Sequence, residues 1–594
     1  MSWLVEGAPS RLALSDLVAD GGYTVPPMRL LVALAIVSSG ACGLAAQANR
    51  VTGTADLIVH HGVVYTVADA APRAEAVAIA GDRLIHVGSD AEALARRGPA
   101  TRVIDAGGRA ILPGLHDAHG HVLGLGTRLQ ELDLRGTTSL VEVTAKLAER
   151  ARTAPQDAWI IGRGWDQNDW PVNAWPSRAA LDAAAPGRRV WLTRIDGHAG
   201  VASSRVLQEA GLSAASVDPA GGRIIRDASG APDGVLVDRA MDAVTRLIAS
   251  PTDAELEANL LRADAELQRL GLTTVHDAGI DERVAAAYKR LVKSGRLRTR
   301  VYAMLRLPLA RLRPFLAAGP VVDLGGRLTI RAVKIGADGA LGSRGAALLE
   351  PYADEPGTSG FLTTPEADIY TLTRAAADAG FQTCVHAIGD RANRVVMDTF
   401  ARVDREVPTA RALRNRNEHA QILDAAEIPR FAALGVIASV QPTHATSDMP
   451  WVPARIGPAR TAEGAYVWQK LRRAGARLAS GSDFPVEQPN PLLGFYAAIT
   501  RQAPDGTPAE GWAPDQRLTR DETLRSFTLD AAYAAHQEAR SGSLEAGKLD
   551  DLVILSHDIM QVPPRDILTT TVVVTVSGGQ VTHDTLTAAS TPAR

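Results

Sequence analysis

The strongest constraint on this chain is an alternation. Between about residues 114 and 540, short apolar β-prone runs take turns with Ala/Leu/Arg-rich amphipathic stretches. That order is the pattern of βα units wound around a parallel sheet. Candidate strands are 111–117, 272–277, 300–305, 329–335, 382–387, 415–419, 435–440 and 478–483. Eight is the count that closes an α/β (β/α)8 TIM barrel. The gap between the first and second strands is far longer than one helix needs. An insertion over about 122–250 is expected there, with "VWLTRI" (190–195) among its strands.

The two chain ends read differently. Segments 55–67, 75–88 and 101–114 are short, alternating and punctuated by Gly, Asp and Pro, and segments 547–558 and 569–584 look the same. This is the signature of a small antiparallel sheet. Residues 50–113 plus 541–585 are therefore expected to form one composite β-sandwich flanking a barrel of 114–540.

Residues 1–48 read as an N-terminal extension and a leader. Met28-Arg29 precedes an apolar run, Leu30 to Val37, and no charged residue occurs from Leu30 to Asn49. Ala46-Gln47-Ala48 is a small-x-small exit. A basic start, a short apolar core and such an exit describe a secretory signal peptide beginning at Met28, and hence export to a periplasm or the exterior. Lipid attachment at Cys42, an uncleaved anchor and a cytoplasmic location are the alternatives. The apolar core is too short for a stable membrane span. The two cysteines, Cys42 and Cys384, cannot build a disulfide framework. With a formal net charge of −3 and no basic stripe, nucleic acid is not an expected partner. A small-molecule substrate is, and a homo-oligomer stays open.

The chemistry sits at strand ends. The first strand runs into "LHDAHGH", where His119 and His121 are two apart. On a strand they point to the same side, so both imidazoles can reach one ion. Lys334, His386, His419 and Asp483 each follow an apolar run, on strands 4, 5, 6 and 8. The C-terminal ends of barrel strands form the active-site mouth. Each residue alone has a plainer reading: a salt bridge for Lys334, a hydrogen-bonded core histidine for His386 or His419, a helix cap for Asp483.

Taken together, "LPGLHDAHGH", "VKIGADGALGSR", "VHAIGDRAN", "EHAQ" and "GSDFPVEQPNP" resemble the binuclear amidohydrolase superfamily, and within it amidohydrolase family 3, the group that includes N-substituted formamide deformylases. The resemblance covers about residues 55–585. It implies two divalent metal ions, for which zinc suits the donors best. His119, His121 and Asp483 would hold one, His386 and His419 the other, and Lys334, carboxylated on its amine, would bridge them. It implies hydrolysis of a C–N bond in a linear amide or N-acyl or N-formyl compound by metal-activated hydroxide, with Asp483 as the catalytic proton carrier. An ester, lactone or phosphoester substrate is the alternative within the same site, and a non-catalytic metal-binding scaffold the alternative outside it.

Around that set, Asp117 is read as orienting an imidazole or capping a turn, and His116 as pointing away. The insertion is expected to fold over the mouth, bringing His198 to the substrate. Trp165 and Trp170 line an apolar pocket or anchor the insertion to the barrel. Asp390 and Arg391 bind a polar substrate group or pair with each other. Arg344, in a Gly-rich loop, is placed to meet a carboxylate.

Overall fold

The computed structural model describes residues 53–167, 170–194, 199–219 and 222–586. The leader, Cys42 and His198 lie outside the described residues. Eight parallel strands form the central sheet: β1 Leu115–Gly120, β2 Leu272–Ile280, β3 Arg300–Leu305, β4 Leu328–Gly336, β5 Gln382–Ala387, β6 Arg416–His419, β7 Ile437–Val440 and β8 Leu478–Ser480. They pair in chain order, setting Lys334 beside Cys384 and His386 beside Glu418. Both faces of these strands are buried, which is why they read as continuous apolar runs rather than as alternation.

The barrel is nearly closed. No regular ladder joins β8 to β1. Instead the Asp483 N–H donates to the His119 carbonyl at 2.7 Å, and the His121 N–H to the Phe484 carbonyl at 2.8 Å. Asp117 completes the seam: its carboxylate accepts from the Ser482 N–H, the Ser482 hydroxyl and the His119 N–H.

Helices pack outside. Asp253–Arg269 starts at a capping box, Thr252 with Glu255, and buries Leu256, Leu260, Ala263 and Leu267 on the stripe that faces β2. Each such leucine contributes about 1.5–3 kcal/mol on burial. Gly271, at φ +78°, turns the chain from that helix into β2.

The chain ends build two further sheets that share one core, including Leu57, Val59, Ile79, Ile111, Ile554 and Val574. Ile111 stands opposite Ile554, so the ends do pair. These sheets are mixed rather than antiparallel: Ala55–His60 runs parallel to Arg97–Asp105, and Val63–Tyr65 parallel to Ala110–Pro113. The expected strand 111–117 is in fact two. Ala110–Pro113 belongs to the sandwich, Pro113-Gly114 breaks the run, and β1 begins at Leu115. A buried ion pair, Arg300 Nε to Asp551 Oδ2 at 2.7 Å, ties β3 to this layer.

Between β1 and β2 lies a six-stranded sheet spanning residues 132–238 that contains Arg189–Arg194. It has its own core of Leu134, Leu147, Ile160, Trp165, Leu181 and Val201. No helix among the described residues is long and apolar enough to cross a membrane.

Candidate metal centre

Six side chains from five strands meet at one rim of the barrel. His119 Nε2 lies 3.1 Å from Lys334 Nζ and 3.6 Å from Asp483 Oδ1. His121 Nε2 lies 3.1 Å from the same Asp483 oxygen. The His419 ring is 4.9 Å from that of His119 and 4.6 Å from that of His386, centroid to centroid. One ligand atom each from His119, His419 and Asp483 falls within 4.8 Å of the others.

Two of these residues are placed by unusual backbone. His419 and Asp483 have φ of +79° and +59°, left-handed values that cost a non-glycine residue roughly 1–3 kcal/mol. At Asp483 the seam bond to His119 holds the conformation. At His419 the turn lets two neighbours on one strand, Glu418 and His419, both face the group.

The donor set fits divalent cations. Asp483 Oδ1 and His386 Nε2 are buried without an aligned hydrogen-bond partner. Burial pushes the His119 imidazole down to about 4, with Lys334 adding to the effect and Glu418 opposing it. Burial also lowers His419 well below the usual histidine range, helped by His386 and His119. Both rings are thus neutral and keep a lone pair. Burial would raise Asp483, but His119, His121 and His419 outweigh it and hold the carboxyl well below its ordinary range. Convergent imidazole nitrogens and one carboxylate are a donor set that a metal ion satisfies.

Behind this set stands a buried pair. Glu418 Oε2 lies 2.5 Å from His119 Nδ1, and Arg416 Nε lies 2.7 Å from Glu418 Oε1. Arg416 also donates to the Ala118 carbonyl, Ser439 Oγ and His276 Nδ1. An ionised Glu418 takes the Nδ1–H of His119 and so leaves Nε2 free to ligate. Gln441 Oε1 does the same for His419 Nδ1 at 2.7 Å. Asp338 accepts three backbone N–H bonds, from Ala347, Ile388 and Gly389, and sits 3.4 Å from His386 Nε2.

Sequence reasoning leaves β7 without a site residue, yet Gln441 and His444 follow it directly. The signal was the same as elsewhere: an apolar run ending in polar "QPTHA". Glu418 and Arg416 were hidden because alternation and charge within a strand carry no mark of a partner on β1.

Three expected substrate contacts find other uses. Arg344 is bound to Asp354, at 2.9 Å, and to Glu355, so it is not free for a carboxylate. Trp165 is wholly buried inside the insertion, donates to the Leu192 carbonyl and packs on Trp170 and Trp175, so it builds the insertion's own core rather than lining a substrate pocket or fixing the insertion to the barrel. Asp390 accepts the Leu349 and Arg391 backbone N–H groups and so fastens a loop. Arg391 is exposed, with its backbone N–H on the Ala347 carbonyl. Asp117 accepts from the His119 and Ser482 backbone N–H groups and the Ser482 hydroxyl rather than from an imidazole ring, and so closes the barrel seam. His116 is buried beside His276, with 6.3 Å between ring centroids, and neither of its nitrogens has a partner.

A parallel eight-stranded barrel with imidazoles and a carboxylate converging at its C-terminal rim defines a metal-dependent hydrolase. Residues 102–583 match the amidohydrolase family, and the chain belongs to it. It is 33% identical to protein LONG AFTER FAR-RED 3 of Arabidopsis thaliana, over 89% of this chain and 91% of that one. It is 31% identical to the putative amidohydrolase YtcJ of Bacillus subtilis, over 89% and 99%. It is 27% identical to the N-substituted formamide deformylase of Arthrobacter pascens, over 85% and 94%. Among solved structures, a metal-dependent hydrolase from Pyrococcus furiosus matches with a TM-score of 0.70 and 28% identity, over 85% of this chain and all of that one.

Proposed function

We propose that the protein hydrolyses the C–N bond of a linear amide, in the N-acyl or N-formyl class. The observation that carries this reading is the position of Asp483: a carboxylate with one oxygen 3.1 Å from His121 and 3.6 Å from His119, at the rim where substrate enters. Likeness to the formamide deformylase, at 27% identity, favours nitrogen over oxygen as the leaving atom.

His119, His121 and Asp483 would hold one divalent ion and His386 and His419 a second, with a carboxylated Lys334 as the shared oxygen donor. Zinc suits imidazole and carboxylate best. Bound there, the pair supplies Lewis acidity and a water acidic enough to attack at neutral pH. The chain's own residues do the rest. Burial lowers the pKa of Lys334, the state in which an amine can take up carbon dioxide, while Glu418 and Asp483 oppose it. Asp483 takes the proton released as water adds to the carbonyl and delivers it to the departing nitrogen. An amide needs that delivery, because an unprotonated amide anion leaves very poorly. The leader read from Met28 supports export, so we propose that this activity lies outside the cytoplasm.

The test is a leaving-group panel of formamides, anilides, esters and lactones on metal-loaded protein, with Asp483→Asn beside it. Formamides or other amides are expected to be turned over fastest. The variant is expected to keep its metal and lose about 10²–10⁴-fold in turnover. Turnover of esters alone would overturn the C–N reading, and an unimpaired variant the role of Asp483.

A further inference from the structure

We infer that His444, a residue outside the ligand set, binds the departing nitrogen of the substrate together with Asp483; this rests on the C–N reading above. His444 sits in the first turn of the helix Pro442–Asp448, just past the end of β7. Its Nε2 is buried and has no hydrogen-bond partner. It lies 3.8 Å from Asp483 Oδ2, the oxygen opposite the one nearest His121 and His119. Its ring stacks on that of His419, at 5.9 Å and 17° between planes, so its direction is fixed. The helix is held in turn by Asp448, which accepts from Tyr466 Oη and from Gln421 Nε2.

Unlike His116, which is unpartnered but lies away from the six converging side chains, His444 pairs an unpartnered nitrogen with a place beside Asp483. It is oriented, unsatisfied and 12% exposed. Two polar atoms 3.8 Å apart are close enough for one further atom to lie within hydrogen-bond reach of both. In amide hydrolysis the atom that must meet Asp483 last is the nitrogen. As the C–N bond breaks, its electron pair goes to nitrogen, which takes the proton from Asp483 and leaves as an amine; the acyl carbon keeps the oxygen of water. With its Nε2 lone pair, His444 accepts the N–H of that nitrogen and turns the nitrogen lone pair toward Asp483. The site is thereby selective for amides that carry an N–H.

Three probes of one size separate this from other roles: N-butylformamide, N-butyl-N-methylformamide and butyl formate. His444→Ala is expected to lower kcat/KM on the first by about 10²-fold, the scale of one hydrogen bond to a reacting centre, and on the other two by less than about threefold. Metal content is expected to match the wild type, and His444→Gln to recover part of the loss. Butylamine, titrated calorimetrically into metal-loaded protein, is expected to bind more weakly to His444→Ala. Equal losses on all three probes, unchanged butylamine binding, or loss of metal from the variant would each overturn the assignment. If the wild type turns over none of the three, the C–N reading fails for this class, and the butylamine arm still decides the role of His444.

Discussion

Glu418 Oε2 stands 2.5 Å from His119 Nδ1, and both side chains are shut away from solvent. Burial would push this carboxyl up, but Arg416 and His119 outweigh it and keep it ionised. Glu418 therefore fixes the proton of His119 on Nδ1 without touching the metal positions itself. Glu418→Gln is expected to weaken metal binding by about 10–100-fold, measured by competition with a chromophoric chelator. It also strands Arg416, fully buried, without a counter-charge. Denaturant unfolding should show a loss of about 3–5 kcal/mol. Unchanged metal affinity would show that the pair serves the barrel alone.

Chelation should expose how far the centre supports the fold. About two equivalents of divalent metal per chain are expected in the loaded protein. Ligands drawn from β1, β4, β5, β6 and the turn after β8 cross-link the rim, and a metal that binds only the folded state stabilises it by mass action, about 2.7 kcal/mol at 100 times its Kd. Thermal unfolding before and after chelator, then with metal restored, measures this. A melting temperature indifferent to metal would contradict it.

Much of this was legible in the sequence, for physical reasons. Parallel strands buried on both faces leave continuous apolar runs, so β3 and β5 fall where the runs fall. Side chains facing the barrel mouth lie at or near the ends of those runs, so His119, Lys334, His386 and Asp483 stood out as a set, although each alone had a plainer reading. What the chain did not mark was partnership across strands. Nothing local to Glu418 says that it faces His119, 299 positions away. Arg344 looked free because its partners, Asp354 and Glu355, lie ten and eleven residues on, in a loop with no periodicity. The misplaced start of β1 has a different cause: Ile111 and Leu112 are as apolar as any barrel strand, and only Pro113-Gly114 marks the step from one layer to the next.

Acid should destabilise the protein through His116. Burial pushes this imidazole down to about 4, with Asp551 opposing and Arg300 assisting, and neither nitrogen has a partner. The folded state therefore binds the proton less readily than the unfolded chain. The stability this contributes is present above the ordinary histidine value of 6.5 and is lost as pH falls through 4. The slope from one such group is at most about 1.4 kcal/mol per pH unit. Asp117, pushed up to about 7 by burial, runs the other way, losing stability as pH rises from 3.8 to that value. Comparing wild type with His116→Leu isolates the histidine. Chemical denaturation of chelated protein between pH 7 and 4 should give a shallower fall for the variant, and parallel curves would refute the assignment.

Gly481 tests whether the barrel seam sets the site. It follows β8 directly, and a Cβ there would lie 2.5 Å from the His119 backbone nitrogen and 2.6 Å from Asp117 Oδ1. Neither neighbour can swing away: one is main chain, the other already accepts from Ser482 and His119. Gly481→Ala must therefore push β8 from β1, at an overpacking cost of about 1–3 kcal/mol. The same shift would stretch the bond from the Asp483 N–H to the His119 carbonyl, which holds the left-handed turn of Asp483. Metal affinity should fall together with stability, although the Cβ meets only backbone and the seam carboxylate of Asp117 and no side chain of the proposed ligand set. Gly357→Ala is the control, because a Cβ there meets nothing within 4 Å. A Gly481→Ala protein that unfolds more easily but binds metal as tightly as the control would separate the seam from the site, and Asp483 would then owe its placement to the turn alone.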